Sequence, residues 1–154
     1  MSDETAGRTY VLAQICLLGL LALDAWRGLR RATGAGRAAG VIAAAAGGAT
    51  VLFAAATLGR ELRAEPAPSP QAELRTDGAY ARVRHPIYAG LLLGGAGLVL
   101  VTGRPRSTVL WGALLAVLLR KIGLEEQLLS ERFPGYAAYT ERTPRLLPRI
   151  LRSW

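Results

Sequence analysis

Between Ala38 and Gly59 the chain runs for 22 residues without a charged side chain. An α-helix rises about 1.5 Å per residue, so a run of this length is enough for one crossing of a bilayer's hydrocarbon core, about 30 Å thick. Three further apolar runs accompany it. The first is Tyr10 to Leu23, extended by Asp24-Ala25-Trp26, the third runs from Pro86 to Thr102, and the fourth from Ser107 to Leu119. The net charge is +8, yet the arginines gather in the short connections where the apolar runs end. That distribution fits an integral membrane protein. A nucleic-acid binder would instead spread its basic residues over a folded polar surface or a basic helix, so no nucleic-acid partner is expected. One cysteine, Cys16, and one histidine, His85, exclude a disulfide framework within the chain and argue against a metal site, which needs several ligands.

The connections set the expected topology. Met1 to Arg8 lacks the basic start of a signal peptide, so the first apolar run is expected to be retained. Arg27, Arg30, Arg31 and Arg37 form a basic loop before the second run. Within it, Gly34-x-Gly36-x-x-x-Gly40 fails the dinucleotide fingerprint, because the third glycine comes one place late and no strand precedes it. Small residues that let helices approach closely are the better reading. Pro66, Pro68 and Pro70 exclude helix and favour a stiff extended connector. Pro86 suits the first turn of a helix, where its missing N–H costs nothing. That helix carries Gly90, Gly94, Gly95 and Gly97, a thin face for close packing. The short turn Gly103-Arg104-Pro105-Arg106 makes the third and fourth runs an antiparallel hairpin. The fourth helix is expected to continue through Lys121, Glu125 and Glu126 to about Arg132, where Phe133-Pro134-Gly135 stops it.

The predicted fold is therefore all-α, with about four transmembrane helices, a C-terminal helical hairpin and a short amphipathic tail, Tyr136 to Trp154, that encloses a cofactor site. The tail carries Arg142, Arg145, Arg149 and Arg152, and is expected at the membrane surface or folded back on the Asp77 region. Residues 1–154 form a single domain, with a two-span part at 1–64 and a cofactor-binding core at 72–144. Four spans place both chain ends, Tyr80 to Arg84, and Glu125-Glu126 on one side. That side holds 13 of the 19 basic residues, although the arginine-dense first loop argues for the opposite orientation. The cytoplasmic side is chosen for the site, in an inner or cytoplasmic membrane, because a nucleotide-derived cofactor is supplied from the cytoplasm.

The polar groups converge at that end. A hairpin returns its C-terminal end to the level of its start, so Tyr88 and Glu125 are expected at similar depth. Lys121 and Glu125 share a helix face at i, i+4 spacing, with Glu126 pointing elsewhere. The start of the third helix adds free N–H groups and a positive dipole end suited to a carboxylate. A carboxylate, aromatic rings and an anion-binding helix start suit S-adenosylmethionine, which carries a sulfonium, an adenosine and an amino-acid end. Taken singly, the same residues have plainer readings. His85 fits an interfacial cap, the tyrosines an aromatic belt, Arg82 and Arg84 lipid-headgroup contacts, and Glu125 an ion pair with Lys121.

Taken in order, Leu74-x-Thr76-x-Gly78-x-Tyr80, Arg84-His85-Pro86-x-Tyr88-x-Gly90, Glu125-Glu126-x-Leu128 and Phe133-x-Gly135-Tyr136-x-x-Tyr139 resemble the isoprenylcysteine carboxyl methyltransferase family. That family belongs to a wider group with phospholipid N-methyltransferases. The resemblance covers about Leu74 to Pro144. It implies a helical membrane enzyme that uses S-adenosylmethionine, with cofactor contacts at Leu74, Arg75, Tyr80, His85, Pro86, Ile87, Tyr88, Gly90 and Glu125. Lys121 and Glu126 are the expected catalytic positions. The family commonly has an arginine where Lys121 stands, and lysine keeps the charge but loses the bidentate fork. The implied acceptor is a lipophilic small molecule entering from the bilayer, with membrane lipids as the surroundings. The rival readings are an NADPH-dependent membrane reductase of steroid-reductase-like architecture and a non-enzymatic membrane subunit. Oligomeric state and acceptor identity are not legible in the sequence.

Overall fold

The computed structural model describes residues 3–28, 35–59, 62 and 73–148. The described residues form five α-helices and one 3-10 turn, in the order α1 (Asp3–Gly28), α2 (Ala35–Leu58), the turn Gly78–Ala81, α3 (Pro86–Thr102), α4 (Pro105–Arg132) and α5 (Tyr136–Arg142). The chain is all-helical there, as expected. The Pro66–Pro70 connector and the last residues of the tail, Arg149 and Arg152 included, lie outside the described residues.

Three helices are long and apolar enough to cross a membrane: Thr5–Gly28, Gly36–Leu58 and Pro105–Arg132. The third apolar run is the shorter helix α3, 17 residues long. The first helix extends well beyond the apolar run Tyr10–Leu23, because the polar residues at either end continue the same backbone hydrogen bonding. Leu12, Ile15, Val41, Ile42, Leu52, Phe53 and Val109 are exposed. In water such a surface would be a liability, whereas facing lipid it is the expected outside of a bundle.

Local chemistry sets the ends of the hairpin. Pro86 and Pro105 each occupy a first-turn position, where no intrahelical N–H is required. Gly103 between them takes φ +60°, a left-handed conformation that glycine adopts without a Cβ penalty, and its N–H closes on the Val99 carbonyl at 2.9 Å.

Helix α3 lies at the centre, in contact with α1, α2 and α4. Its contact with α2 is made through glycines on both sides. A Cβ placed on Gly40 would stand 2.6 Å from the Gly97 carbonyl oxygen, and one on Gly90 would stand 2.7 Å from that of Gly47. The two helices therefore run antiparallel with their backbones nearly touching. Gly95 faces the other way and makes room for Trp111 of α4, whose indole N–H donates to the Leu92 carbonyl at 2.9 Å. On that side Leu21, Leu92, Leu114 and Leu118 form the buried centre of a leucine core shared by α1, α3 and α4.

Two polar contacts fix α1 against the hairpin. Gln14 meets Lys121, and Asp24 meets Ser107 and Arg104. Asp24 lies near its helix end, as its position in the run suggests, but it is also buried, at 5% exposure. Its Oδ2 accepts the Ser107 hydroxyl at 2.5 Å and its Oδ1 the Arg104 guanidinium at 3.1 Å. The cost of burying this carboxylate is offset by its partners.

Candidate active site

The site grows from the place where α3 begins and α4 ends. Before α3, the 3-10 turn Gly78–Ala81 bends the chain. The segment from Arg84 then runs beside the stretch that follows α5. The Arg84 N–H donates to the Pro144 carbonyl at 2.8 Å and the His85 N–H to the Arg145 carbonyl at 3.0 Å. Tyr139 of α5 donates its hydroxyl to the Tyr80 carbonyl at 2.6 Å. Residues 136–145 are thus folded back on the segment before α3, one of the two placements that the sequence allows.

These contacts deliver a set of side chains to one spot. Glu126 receives Arg84 through Nε at 3.0 Å and Nη2 at 2.8 Å on Oε1, and Arg145 through Nε at 2.9 Å and Nη2 at 2.6 Å on Oε2. His85 Nε2 lies 3.2 Å from the same Oε1. The remaining Arg84 nitrogen, Nη1, donates to the Thr140 and Thr143 carbonyls. Arg84 is therefore committed inside the protein and is not a headgroup contact. Paired guanidinium contacts of this kind are strong and orienting. Glu126 joins α4, the start of α3 and the folded-back tail.

The adjacent carboxylate is held differently. Glu125 accepts the Tyr88 hydroxyl at 2.9 Å, and His85 Nδ1 stands 3.7 Å from the same oxygen. Its side chain is 26% exposed, against 11% for Glu126. The His85 and Tyr88 rings stack at 5.6 Å with an interplanar angle of 12°. His85 occupies the N-cap position of α3, but its side chain makes no cap hydrogen bond and its ring is given to the two glutamates instead. Lys121 does not pair with Glu125. Its ammonium, buried at 1% residue exposure, donates to Gln14 at 2.9 Å and lies 5.2 Å from the centre of the Tyr88 ring, a cation–π contact.

Of the residues singled out in the sequence, Tyr88, His85, Glu125, Glu126 and Lys121 are brought together. Tyr80 joins through its carbonyl, and burial, reinforced by the Glu125 charge, pushes its phenol upward, so it stays neutral. Burial likewise pushes the Tyr139 phenol up to about 12, which keeps its O–H as a donor. Pro86 is buried at the start of α3, and Ile87 follows it, half-buried. Gly90 serves the contact with α2. Leu74 and Arg75 precede the 3-10 turn. Arg75 faces Asp77 at 3.7 Å, and no described hydrogen bond or ion pair joins it to the glutamates. The sequence reading overlooked Arg145, Gln14 and the binding of Arg84 to Glu126. A polar Gln14 inside an apolar run was the one available signal.

The bundle thus brings paired glutamates at the end of α4 against a histidine and a tyrosine at the start of α3. The phospholipid methyltransferase family model matches residues 35–135, more than half of the chain, and the chain belongs to that family, which is grouped with the isoprenylcysteine carboxyl methyltransferases. It is also 36% identical over 78 residues to the cobalt-zinc-cadmium resistance protein CzcN of Cupriavidus metallidurans, across 50% of this chain and 36% of that one. A second relative, the nickel-cobalt-cadmium resistance protein NccN of Alcaligenes xylosoxydans xylosoxydans, is 35% identical over 83 residues, across 51% of this chain and 37% of its own. The matched segments thus span little more than a third of these relatives. The apolar helices and the family together make this a membrane protein.

Proposed function

We propose that this chain is an S-adenosylmethionine-dependent methyltransferase that acts on a lipophilic small molecule, in the manner of the isoprenylcysteine carboxyl methyltransferases. The observation that carries the reading is the Tyr88–Glu125 hydrogen bond of 2.9 Å, with the His85 ring stacked beside it. It joins a partly exposed carboxylate to aromatic faces at the end of the bundle. A carboxylate and ring faces are the donor set that an organic sulfonium requires. When bound, S-adenosylmethionine supplies a methyl group activated on sulfur. The residues fit that group. Glu125 and Tyr88 would face the cationic sulfur, and Tyr80 and the start of α3 would line the adjoining space.

The protein's own contribution is alignment and exclusion of water. The stacked rings and the folded-back tail shield the spot. Lys121, held by Gln14 and by the Tyr88 ring, presents a buried positive charge to an anionic acceptor. Glu126 has both oxygens committed to Arg84, Arg145 and His85, which suits holding the site together better than accepting a proton. An acceptor that needs no general base, a carboxylate or a thiolate, therefore fits best. The acceptor would enter from lipid, and the site would face the cytoplasm, where the methyl donor is made. Metal resistance, the subject of the two relatives' names, is not carried over to this chain.

The test is transfer of a labelled methyl group in membranes that contain the protein, followed by identification of the labelled product. We expect label in a lipid-extractable product, and clearly less of it with Glu125→Gln at a limiting concentration of S-adenosylmethionine. Saturable binding of NADPH by the purified protein, without binding of S-adenosylmethionine, would remove this reading in favour of a reductase.

A further inference from the structure

Tyr136 stands next to the glutamate cluster, at the first position of α5. It is 2% exposed, and its hydroxyl is a buried side-chain oxygen without a hydrogen-bond partner among the described residues. The ring is not free to swing toward water. Its N–H is tied to the Phe133 carbonyl at 2.9 Å, and its ring packs edge to face on Tyr139, with centroids 6.0 Å apart. Its neighbour shows the usual solution, since the Tyr139 hydroxyl is bonded to the Tyr80 carbonyl at 2.6 Å. Buried hydroxyls are nearly always paired, and one left alone calls for an explanation. Phenylalanine would fill the same volume without the polar atom.

The surroundings of the hydroxyl indicate what would pair with it. Glu126, Glu125 and Arg84 all lie within electrostatic reach. Arg84 and Glu126 are already bound to each other and to further partners, so neither supplies the missing bond. Burial, with the Glu126 charge, pushes the phenol above its ordinary value, so it remains an O–H donor. It lies on the helix that follows the end of α4, in the folded-back stretch whose Thr140 and Thr143 carbonyls hold Arg84 against Glu126.

We propose that Tyr136 is a contact for the methyl donor, its hydroxyl donating a hydrogen bond to an acceptor atom of the S-adenosyl group. The inference rests on the methyltransferase reading. It extends the binding surface from α3 and α4 to α5, so that the folded-back tail forms one wall of the site.

The test uses the full chain in detergent with S-adenosylhomocysteine as the probe and no methyl acceptor present. Tyr136→Phe removes only the oxygen. Its ligand-free melting temperature is expected to equal that of the wild type or to exceed it by about 1–3 °C, because no native bond is lost. Its affinity for S-adenosylhomocysteine is expected to fall about three- to tenfold. Tyr139→Phe, which removes a satisfied bond, is the control and should melt about 2–4 °C lower. A ligand-free Tyr136→Phe that melts below the wild type would show a structural hydroxyl and overturn the proposal. So would equal affinity of the two proteins for the probe. If the wild type itself fails to bind S-adenosylhomocysteine, the methyltransferase reading falls first and this inference with it.

Discussion

The bundle carries a buried carboxylate cluster at each end, and the two are built differently. At the far end, Asp24 meets one hydroxyl and one guanidinium, from Ser107 and Arg104, beside the turn between α3 and α4. Both Asp24 oxygens have a partner there, and the cluster joins α1 to that turn. At the near end, two glutamates share Arg84, Arg145, His85 and Tyr88, drawn from α3, α4 and the segments before α3 and after α5. Glu126 is closed off in the same way as Asp24. Glu125 is only partly covered, and the nearby Tyr136 hydroxyl has no hydrogen-bond partner among the described residues. A closed cluster fastens helices, whereas a cluster with unmet capacity is arranged for something else to bind. On the proposed methyltransferase reading, the adjacent residues Glu125 and Glu126 divide these two tasks.

That division can be broken by substitution. The largest effect is expected from Glu126→Ala, which leaves Arg84 buried without its counter-ion and frees the tail. Unfolding in detergent should show a loss of about 3 kcal/mol. Arg145 contributes little to that figure, since its side chain is 59% exposed. Next comes Asp24→Asn, which keeps the shape but removes the charge, at about 2 kcal/mol by the same measurement. Affinity for S-adenosylhomocysteine should stay within about twofold, since a fastening is all that is lost. Glu125→Gln should do the reverse. Its stability should match the wild type within about 1 kcal/mol, and titration should show about tenfold weaker binding of S-adenosylmethionine. A Glu125→Gln protein that unfolds easily but binds normally would erase the distinction between the two glutamates.

The smallest effect is expected at Gln14→Leu. Gln14 positions Lys121, so the KM for an anionic acceptor should rise about threefold while S-adenosylhomocysteine affinity holds. A change in cofactor affinity instead would place Lys121 on the donor side of the site.

Much of the site was legible because its chemistry is local in sequence. Arg84 to Gly90 places a histidine, a helix-starting proline and a tyrosine within one turn. The hairpin then returns α4 to the end of the bundle where α3 begins, and the two long side chains of Tyr88 and Glu125 close the remaining distance. The role of Glu126 was not legible. Whether a helical carboxylate faces a lysine four residues back or an arginine from another segment depends on how the helix is rotated, and hydropathy does not report rotation. The spacing of Lys121 and Glu125 pointed to an ion pair, yet Gln14 and the Tyr88 ring take the lysine. A nearby amide and ring face hold that ammonium where a partly solvated carboxylate does not reach it.

Sequence alone determined the helical class, the proline start of the third helix, the run of the fourth to Arg132, the close-packing glycines Gly90, Gly94 and Gly97 of α3 (Gly95 turns to Trp111 instead) and the residues assembled around Tyr88. These follow from backbone chemistry and apolar length, which act within a few residues. Tertiary structure alone decided which charges are closed off and which remain available. It assigned Arg145 and Arg84 to Glu126, gave Asp24 to Ser107, set Gln14 on Lys121 and left the Tyr136 hydroxyl without a partner among the described residues. Those partners come from different segments, many of them more than 40 residues apart, as with Arg84 and Glu126 at a separation of 42. Only the packing of whole helices brings them within hydrogen-bond reach.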